Sequence, residues 1–430
     1  MQEAIWQIGQ VAYNPQDVIS NYLQPLATKN KKGQPLQVVK IDFNLQLGTL
    51  ELDVTEELDD NTSSKYCYIG HADAPSAPQW QASVKTHNYL LSQTITNLIS
   101  MDIDEQLKAD LKVLRDKFFQ DIVFVDKGKE KHIYLLDLSS IGFTERNPKD
   151  IFNQQEGDIK KTIKVLSKEF ILGLKEKYGI TDKNIGLFVL AINGKTAANM
   201  ATYQNLIIKE KKKVFAKGEK GCCSICGISE GLTADTSKLK MKFYTTTNLN
   251  FPSGFEKGSY RKNMLLCVNC MNNLTAGENF VWQNLSARLG NFTVFLIPSF
   301  LFQPQMDQKD LEGMVNKVQG TFNLTADMEK LKGFQGDIRM LLVELEQEDY
   351  FLMNMLFYRK GQQGQDVKVQ RFIKDVHPTR FINIHKAIEK INQIGNMLLI
   401  TLVDGNIGTE NDGGDSRLSP TPFRRFSFVQ

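Results

Sequence analysis

Two short cysteine pairs constrain this chain more than anything else in it. Cys223 and Cys226 lie in GCCSICGISEGL, Cys267 and Cys270 in LLCVNCMNNL, and 40 residues separate the pairs. Five of the six cysteines therefore fall inside two short stretches. A C-x2-C turn lets two sulfurs converge on one ion, and a tetrahedral Zn2+ takes four thiolates at about 2.3 Å. Gly227, directly after the first pair, supplies the permissive backbone that such a turn often needs. The alternatives are two disulfides, which a reducing cytosol disfavours, or two unrelated pairs. With four thiolates a zinc ion keeps no open position, so the expected site is structural. Cys222 would make a C-x3-C spacing with Cys226 and is expected to be a bystander, and Cys67, in KYCYIG, a core residue. A zinc deaminase needs a His-x-Glu element. None of His71, His87, His132, His377 or His385 has Glu two residues later.

The pairs interrupt a larger pattern. At 430 residues, 23% charged and 41% hydrophobic, the chain can bury one large core and two or three sub-domains. Apolar spacing predicts helices over EAIWQIGQVAY, PQDVISNYLQPLA, QASVKTHNYLLSQTITNLI, DEQLKADLKVLRDKFFQDI and DIKKTIKVLSKEFILGLKEKYG. Alternation predicts a hairpin over QVVKIDFNLQLGTLELDVTEEL and strands at HIYLLDLS, NIGLFVLAING and NFTVFLIPSF. A helix is expected at TADMEKLKGFQGDIRMLLVELEQ, a hairpin from YFLMNMLFYRK to DVKVQRFIKDV, and a helix at PTRFINIHKAIEKINQI. Helices and strands mix without a regular βαβ repeat, which predicts an α+β fold with antiparallel strands and an inserted four-cysteine module. The expected division is an α+β domain over 1–210, the cysteine module over 211–289, a continuation of the α+β domain over 290–400 and a loop or tail over 401–430. The amino terminus lacks a basic start followed by an apolar run, and NFTVFLIPSFLF is broken by Pro298 well short of the roughly 20 residues that cross a bilayer. A cytoplasmic protein without membrane contact is expected.

The formal net charge of +3 announces no partner, so distribution has to decide. Lys238, Lys240 and Lys242 alternate, which on a strand would set three ammonium groups on one face. Tyr244, Arg261 and Lys262 follow, and KEKKKVFAKGEKG precedes the first pair. Basic residues interleaved with aromatics suit phosphate contacts and base stacking.

The order C-x2-C, KFYTTTNLNFPSGF, Y-R-K, an apolar pair and LCVNCMNNLTAGENFV resembles the zinc-finger insertion of the large subunit of type I-B CRISPR Cascade complexes. A second segment, VQRFIKDVHPTRFINI, is similar to that family's Asp-Val, Pro, hydroxyl residue and Arg, here Asp375, Val376, Pro378, Thr379 and Arg380, with Thr where Ser is more usual. The resemblance implies a non-catalytic subunit with one structural Zn2+. It would sit near the crRNA 5′ end, read a short PAM in target double-stranded DNA and help open the duplex. Its implied partners are crRNA, a backbone repeat subunit, a crRNA 5′-end-capping subunit, a small subunit, and a recruited nuclease-helicase or transposition machinery. The family's C-terminal helical bundle has no counterpart pattern after Asn396. It is expected to be absent from this chain, supplied by a further segment or by a separate small subunit.

Two rival readings stand beside this one. One is a zinc-ribbon transcription or RNA-processing factor. The other is a metal-dependent nuclease, which would need clustered carboxylates. The acidic patch LDVTEELDD reads as solvated loop, and His377 has no acid or nucleophile at motif spacing.

Overall fold

The computed structural model describes residues 1–70, 78–241, 255–256, 259–289, 292–301, 307–313, 351–360, 367–377 and positions 380, 390 and 394. Residues 1–376 form one unit and 377–430 a second. In chain order the first unit opens with α1 (Gln2–Ala12), β1 (Gln37–Asn44), β2 (Thr49–Asp53), α2 (Thr62–Lys65), β3 (Ser83–Val84), α3 (Asn88–Ser92), α4 (Thr94–Ile99) and α5 (Glu105–Phe118). It continues with β4 (Phe119–Asp126), β5 (Lys129–Leu136), α6 (Pro148–Gln154), α7 (Ile159–Tyr178), β6 (Ile185–Ile192), β7 (Lys195–Thr196) and α8 (Ala201–Lys212). Then come β8 (Leu232–Thr233), β9 (Leu266–Cys267), α9 (Val268–Asn284), β10 (Ser286–Leu289), β11 (Phe292–Phe300), β12 (Phe351–Lys360) and β13 (Val367–Val376). No described helix is long and apolar enough to cross a membrane.

The expected α+β class holds. One sheet runs β2-β1-β6-β3 with β7 on β6, and β1 and β6 are parallel while their other neighbours are antiparallel. The central strands are covered on both faces. Val39, Ile41 and Phe43 of β1, with Phe188, Leu190 and Ile192 of β6, enter the large core under α3 to α8. Their alternates Val38, Leu187 and Val189 pack with Leu58, Tyr66 and Tyr68 on the other side. This explains why these strands read as apolar runs. The second sheet, β10-β11-β12-β13, is antiparallel throughout. Pro298 is accommodated in β11 opposite Met353, beyond the stretch of β11 that pairs with β10, so its missing N–H costs no ladder bond there.

Capping chemistry sets the long helices. The carboxylate of Asp104 accepts from Leu107 N–H at α5, that of Asp158 accepts from Lys160 and Lys161 N–H at α7, and α7 stops at left-handed Gly179.

Three helix expectations need correction. PQDVISNYLQPLA forms only a 3₁₀ turn at Ser20–Tyr22, because Asn14, Asp17 and Asn21 side chains take the backbone groups a helix would use. The segment from Gln81 to Ile99 is β3 followed by two short helices, since Ala82 is drawn into the sheet through Leu190 N–H and the buried Tyr203 hydroxyl. Helix α5 ends at Phe118, and FQDI opens β4 against β5. The helix expected at TADMEKLKGFQGDIRMLLVELEQ, the tail over 401–430 and most of the helix at PTRFINIHKAIEKINQI lie outside the described residues. Within that last segment Arg380, Lys390 and Ile394 are helical.

Candidate metal centre

The four cysteines converge. The sulfurs of Cys223, Cys226, Cys267 and Cys270 all lie within 4.8 Å of one another, and Cys226 and Cys267 are 3.6 Å apart. Four sulfurs at 2.3 Å from one tetrahedral centre would be about 3.8 Å apart, so the cluster has the size of a thiolate-bound divalent ion. None of the six cysteines is in a disulfide.

Local backbone chemistry builds each half. In the first knuckle Gly227 takes φ +77°, which lets its N–H reach the Cys223 carbonyl at 2.9 Å while Cys223 N–H reaches Ile228 O at 2.8 Å. In the second, Cys267 caps α9, its sulfur accepting from Cys270 N–H at 3.5 Å. The halves are stitched by β8 against β9 and by Ser224, whose N–H donates to Leu265 O at 2.8 Å and whose hydroxyl accepts from Leu265 N–H at 3.0 Å.

Burial and amide donors act on the thiols in opposite directions. Burial pushes Cys223 up, but N–H groups of Cys226, Cys267 and Ile225 outweigh it and bring it down to about 7. Cys267 and Cys270 are pushed up by burial and by the neighbouring sulfurs. A bound cation would offset this cost and hold the sulfurs as thiolates, which is the donor set's chemical argument for a metal. Cys222 is exposed, 3.4 Å from the Ser229 hydroxyl and outside the cluster, and Cys67 is buried in the core.

Helix α9 carries the centre into the rest of the unit. It crosses α1 at a glycine pair: a Cβ on Gly9 would lie 1.8 Å from Asn273 O, and one on Gly277 2.0 Å from Ile5 O. Trp282, near its end, packs 5.8 Å from Phe295, which stacks on Tyr358 of β12. Gln7 of α1 brackets Phe300 of β11 through both its amide groups, at 3.0 and 3.2 Å.

The basic residues separate. Residues 238–240 carry a turn and a bend, not a strand, and only Met241 is in a β-bridge, so Lys238 and Lys240 do not share a strand face. The cause is Glu278 of α9, 3% exposed, whose carboxylate accepts from the backbone N–H of Lys240 at 2.7 Å and of Met241 at 3.0 Å. Lys240 is half-buried, and its ammonium donates to Asn279 Oδ1 and sits 5.8 Å over the Trp282 ring. Asn279 in turn donates to Asn21 O. Desolvation pushes the Lys240 ammonium down to about 7, against the opposing pull of Glu278 and with help from Lys211. Arg261 and Lys262 are exposed on a 3₁₀ turn, Ser259–Lys262, just before β9. Arg380 is exposed in the second unit, its N–H on His377 O. Lys242 and Tyr244 lie outside the described residues. Gly9 lies in no motif, and Gly277, Glu278 and Asn279 fall inside LCVNCMNNLTAGENFV, where the pattern assigns them no role of this kind. The one sequence signal for them is a carboxylate placed on the apolar side of α9.

Sequence profiles of CRISPR-associated protein TM1802 match in chain order, the N-terminal domain over residues 1–209 and the central domain over residues 220–376. The second match contains all four cysteines of the cluster. No curated protein matches the chain.

Proposed function

The chain belongs to the CRISPR-associated TM1802 family, and from that premise we propose that it is the large, non-catalytic subunit of an RNA-guided Cascade surveillance complex. In this reading it makes contacts near the crRNA 5′ end, reads a PAM in target duplex DNA and helps part the strands. The division of labour is physical: guide pairing supplies long-range specificity, while protein needs only to read a few base pairs and clamp backbone. The observation that carries the reading is the ordered pair of family matches, the second enclosing a four-sulfur site of metal-binding size.

Zinc fits four soft thiolates in tetrahedral array better than a harder ion does. Bound there, it cross-links the two knuckles and polarises no substrate. Arg261 and Lys262, on the turn leading into the second knuckle, are then held at the surface without the entropy cost of ordering a free loop. Lys238, Arg261, Lys262 and Arg380 remain candidates for phosphate contact, and Lys240 does not, because its ammonium is spent inside the protein. Lys as a point charge suits backbone better than bidentate base reading.

The test is co-expression of the tagged chain with a repeat-spacer guide transcript and its neighbouring Cas proteins. Guide RNA and a backbone repeat subunit should elute with it, together with the capping and small subunits, and the complex should bind duplex DNA more tightly with one short PAM than with others. A chain that elutes free of RNA, or a complex blind to the flanking sequence, refutes the assignment. Mg2+- or Mn2+-dependent cleavage by the chain alone would refute its non-catalytic part.

A further inference from the structure

A cleft of about 290 Å³ opens beside the metal centre. Lys213 and Lys217, on the chain leaving α8, form one side, and Glu219, Thr233, Asp235 and Tyr260 of the cysteine module form the others. Its volume is at the small end of ligand cavities, which run from roughly 300 to 1,000 Å³, with room for one nucleotide but no stacked run.

The lining is unlike a plain anion site. Lys217 is exposed and makes no ion pair among the described residues, whereas Lys213 is paired to Glu210 at the rim. Glu219 spends its backbone N–H on Leu232 O, and its carboxylate has no partner among the described residues. Asp235 accepts from Ser237 N–H through Oδ1 at 2.8 Å, which leaves its other oxygen. Thr233 Oγ1 accepts from Asp235 N–H at 3.0 Å and keeps its own proton to donate. Tyr260 is 7% exposed, and its hydroxyl has no partner among the described residues. A phosphate-only site would not carry two carboxylates, because they repel the anion it is meant to hold.

We propose that this cleft takes one unstacked nucleotide whose base bears an exocyclic amino group. Lys217, with Lys213 behind it, meets the phosphate. Tyr260 lies against the base. Glu219 and Asp235 accept from the amino edge, as carboxylates do from the cytosine N4 group. Thymine and uracil present carbonyl oxygens where the other bases present amino groups, so the carboxylates select against them. The inference rests on the reading that this chain contacts nucleic acid, and it names what one part of the surface would hold.

The experiment uses the full chain and a fluorescein-labelled ten-nucleotide oligo-dT, alone or with one central dG, dA or dC, in anisotropy titrations at several salt concentrations. Wild type should bind the amino-bearing oligonucleotides about tenfold more tightly than all-dT. Glu219→Gln, combined with Asp235→Asn, should erase that preference and leave all-dT binding unchanged. Lys217→Ala should weaken every oligonucleotide alike and lower the salt slope by about one. Metal content equal to wild type confirms that each variant keeps the module folded. Equal affinity of wild type for all four oligonucleotides, or a preference that survives both carboxylate changes, overturns the proposal and leaves nucleic-acid binding standing. Failure to bind any of them at low salt overturns the nucleic-acid reading itself and this inference with it.

Discussion

Replacing Gly9 by alanine should loosen the joint between the amino-terminal helix and the metal-bearing helix. The added Cβ would stand 1.8 Å from Asn273 O, and the reciprocal Gly277→Ala would set one 2.0 Å from Ile5 O. Ordinary contact begins at 3.4 Å. Both obstacles are main-chain atoms of a helix, so no side chain can swing aside, and α1 and α9 must separate by about 1.4 to 1.6 Å. A gap of even 0.5 to 1 Å forfeits a quarter to a half of each dispersion contact across it. The flanking side chains that lose contact are buried: Ala4, Ile5 and Ile8 on α1, Met271, Leu274 and Phe280 on α9. Overpacking typically costs about 1 to 3 kcal/mol, and a main-chain obstacle belongs at the upper end. Alanine returns about 1 kcal/mol of helix propensity. The net expectation is a loss of about 2 kcal/mol for either change.

Trp6 lies on α1 and Trp282 on α9, so intrinsic fluorescence during urea titration reports on this joint. Each single variant should unfold at lower urea than wild type. The double variant should cost clearly less than the two singles together, since helices already held apart accept the second methyl cheaply. Metal content should stay at the wild-type level, because Cys267 and Cys270 lie at the start of α9, before the crossing at Asn273 and Gly277, and their partners come from the first knuckle. Unchanged or raised midpoints would mean that helix propensity dominates and that the close crossing does not exist. Strict additivity would mean that the two glycines do not share one contact.

Cys223→Ser should abolish bound zinc while Cys222→Ser retains it, as read by elemental analysis, because only the former sulfur is in the cluster. Chelation should open the β8–β9 module to protease and leave residues 1–209 protected, since metal binding in such modules is folding free energy. Arg261→Ala should lower the salt slope of DNA binding by about one, whereas Lys240→Ala should leave the slope alone and reduce stability, Asn279 losing its internal donor. Acid should weaken the β1–β2 hairpin in a defined window. Hydroxyl and N–H bonds from Thr55, with Lys40 behind them, hold Asp53 down at about 2, so its contribution is full above the unfolded value of about 4 and disappears as pH falls through about 2. Asp53→Asn should flatten the pH dependence of the urea midpoint between those limits.

The metal cluster was legible because its information is local: a C-x2-C turn converges two sulfurs wherever it sits, and two such turns need only one pairing of β8 with β9. The hairpins at 37–53 and 351–376 and the helix at 159–178 were legible for the same reason, period and caps lying within the element. The helix wrongly expected near Ser20 also had a local signal. Asn14, Asp17 and Asn21 at short spacing are turn chemistry, and their side-chain bonds override the apolar periodicity there.

Lys240 failed for a different reason. Period two told where its side chain would point on a strand, but the backbone there obeys Glu278, 38 residues later. On α9, Glu278 falls at helical spacing from Leu274 and Val281, both buried, with Gly277 beside it at the crossing with α1. A carboxylate on that face must find donors, since an unpaired buried charge costs more than any turn. Two backbone N–H groups from the loop that the cysteines close donate to it. That choice bends residues 239–241 onto α9, buries Leu239 and Met241, and takes the Lys240 ammonium inward with them. The row of lysines was therefore broken by the burial of an acid, which a sequence shows only once the apolar face of the neighbouring helix is drawn.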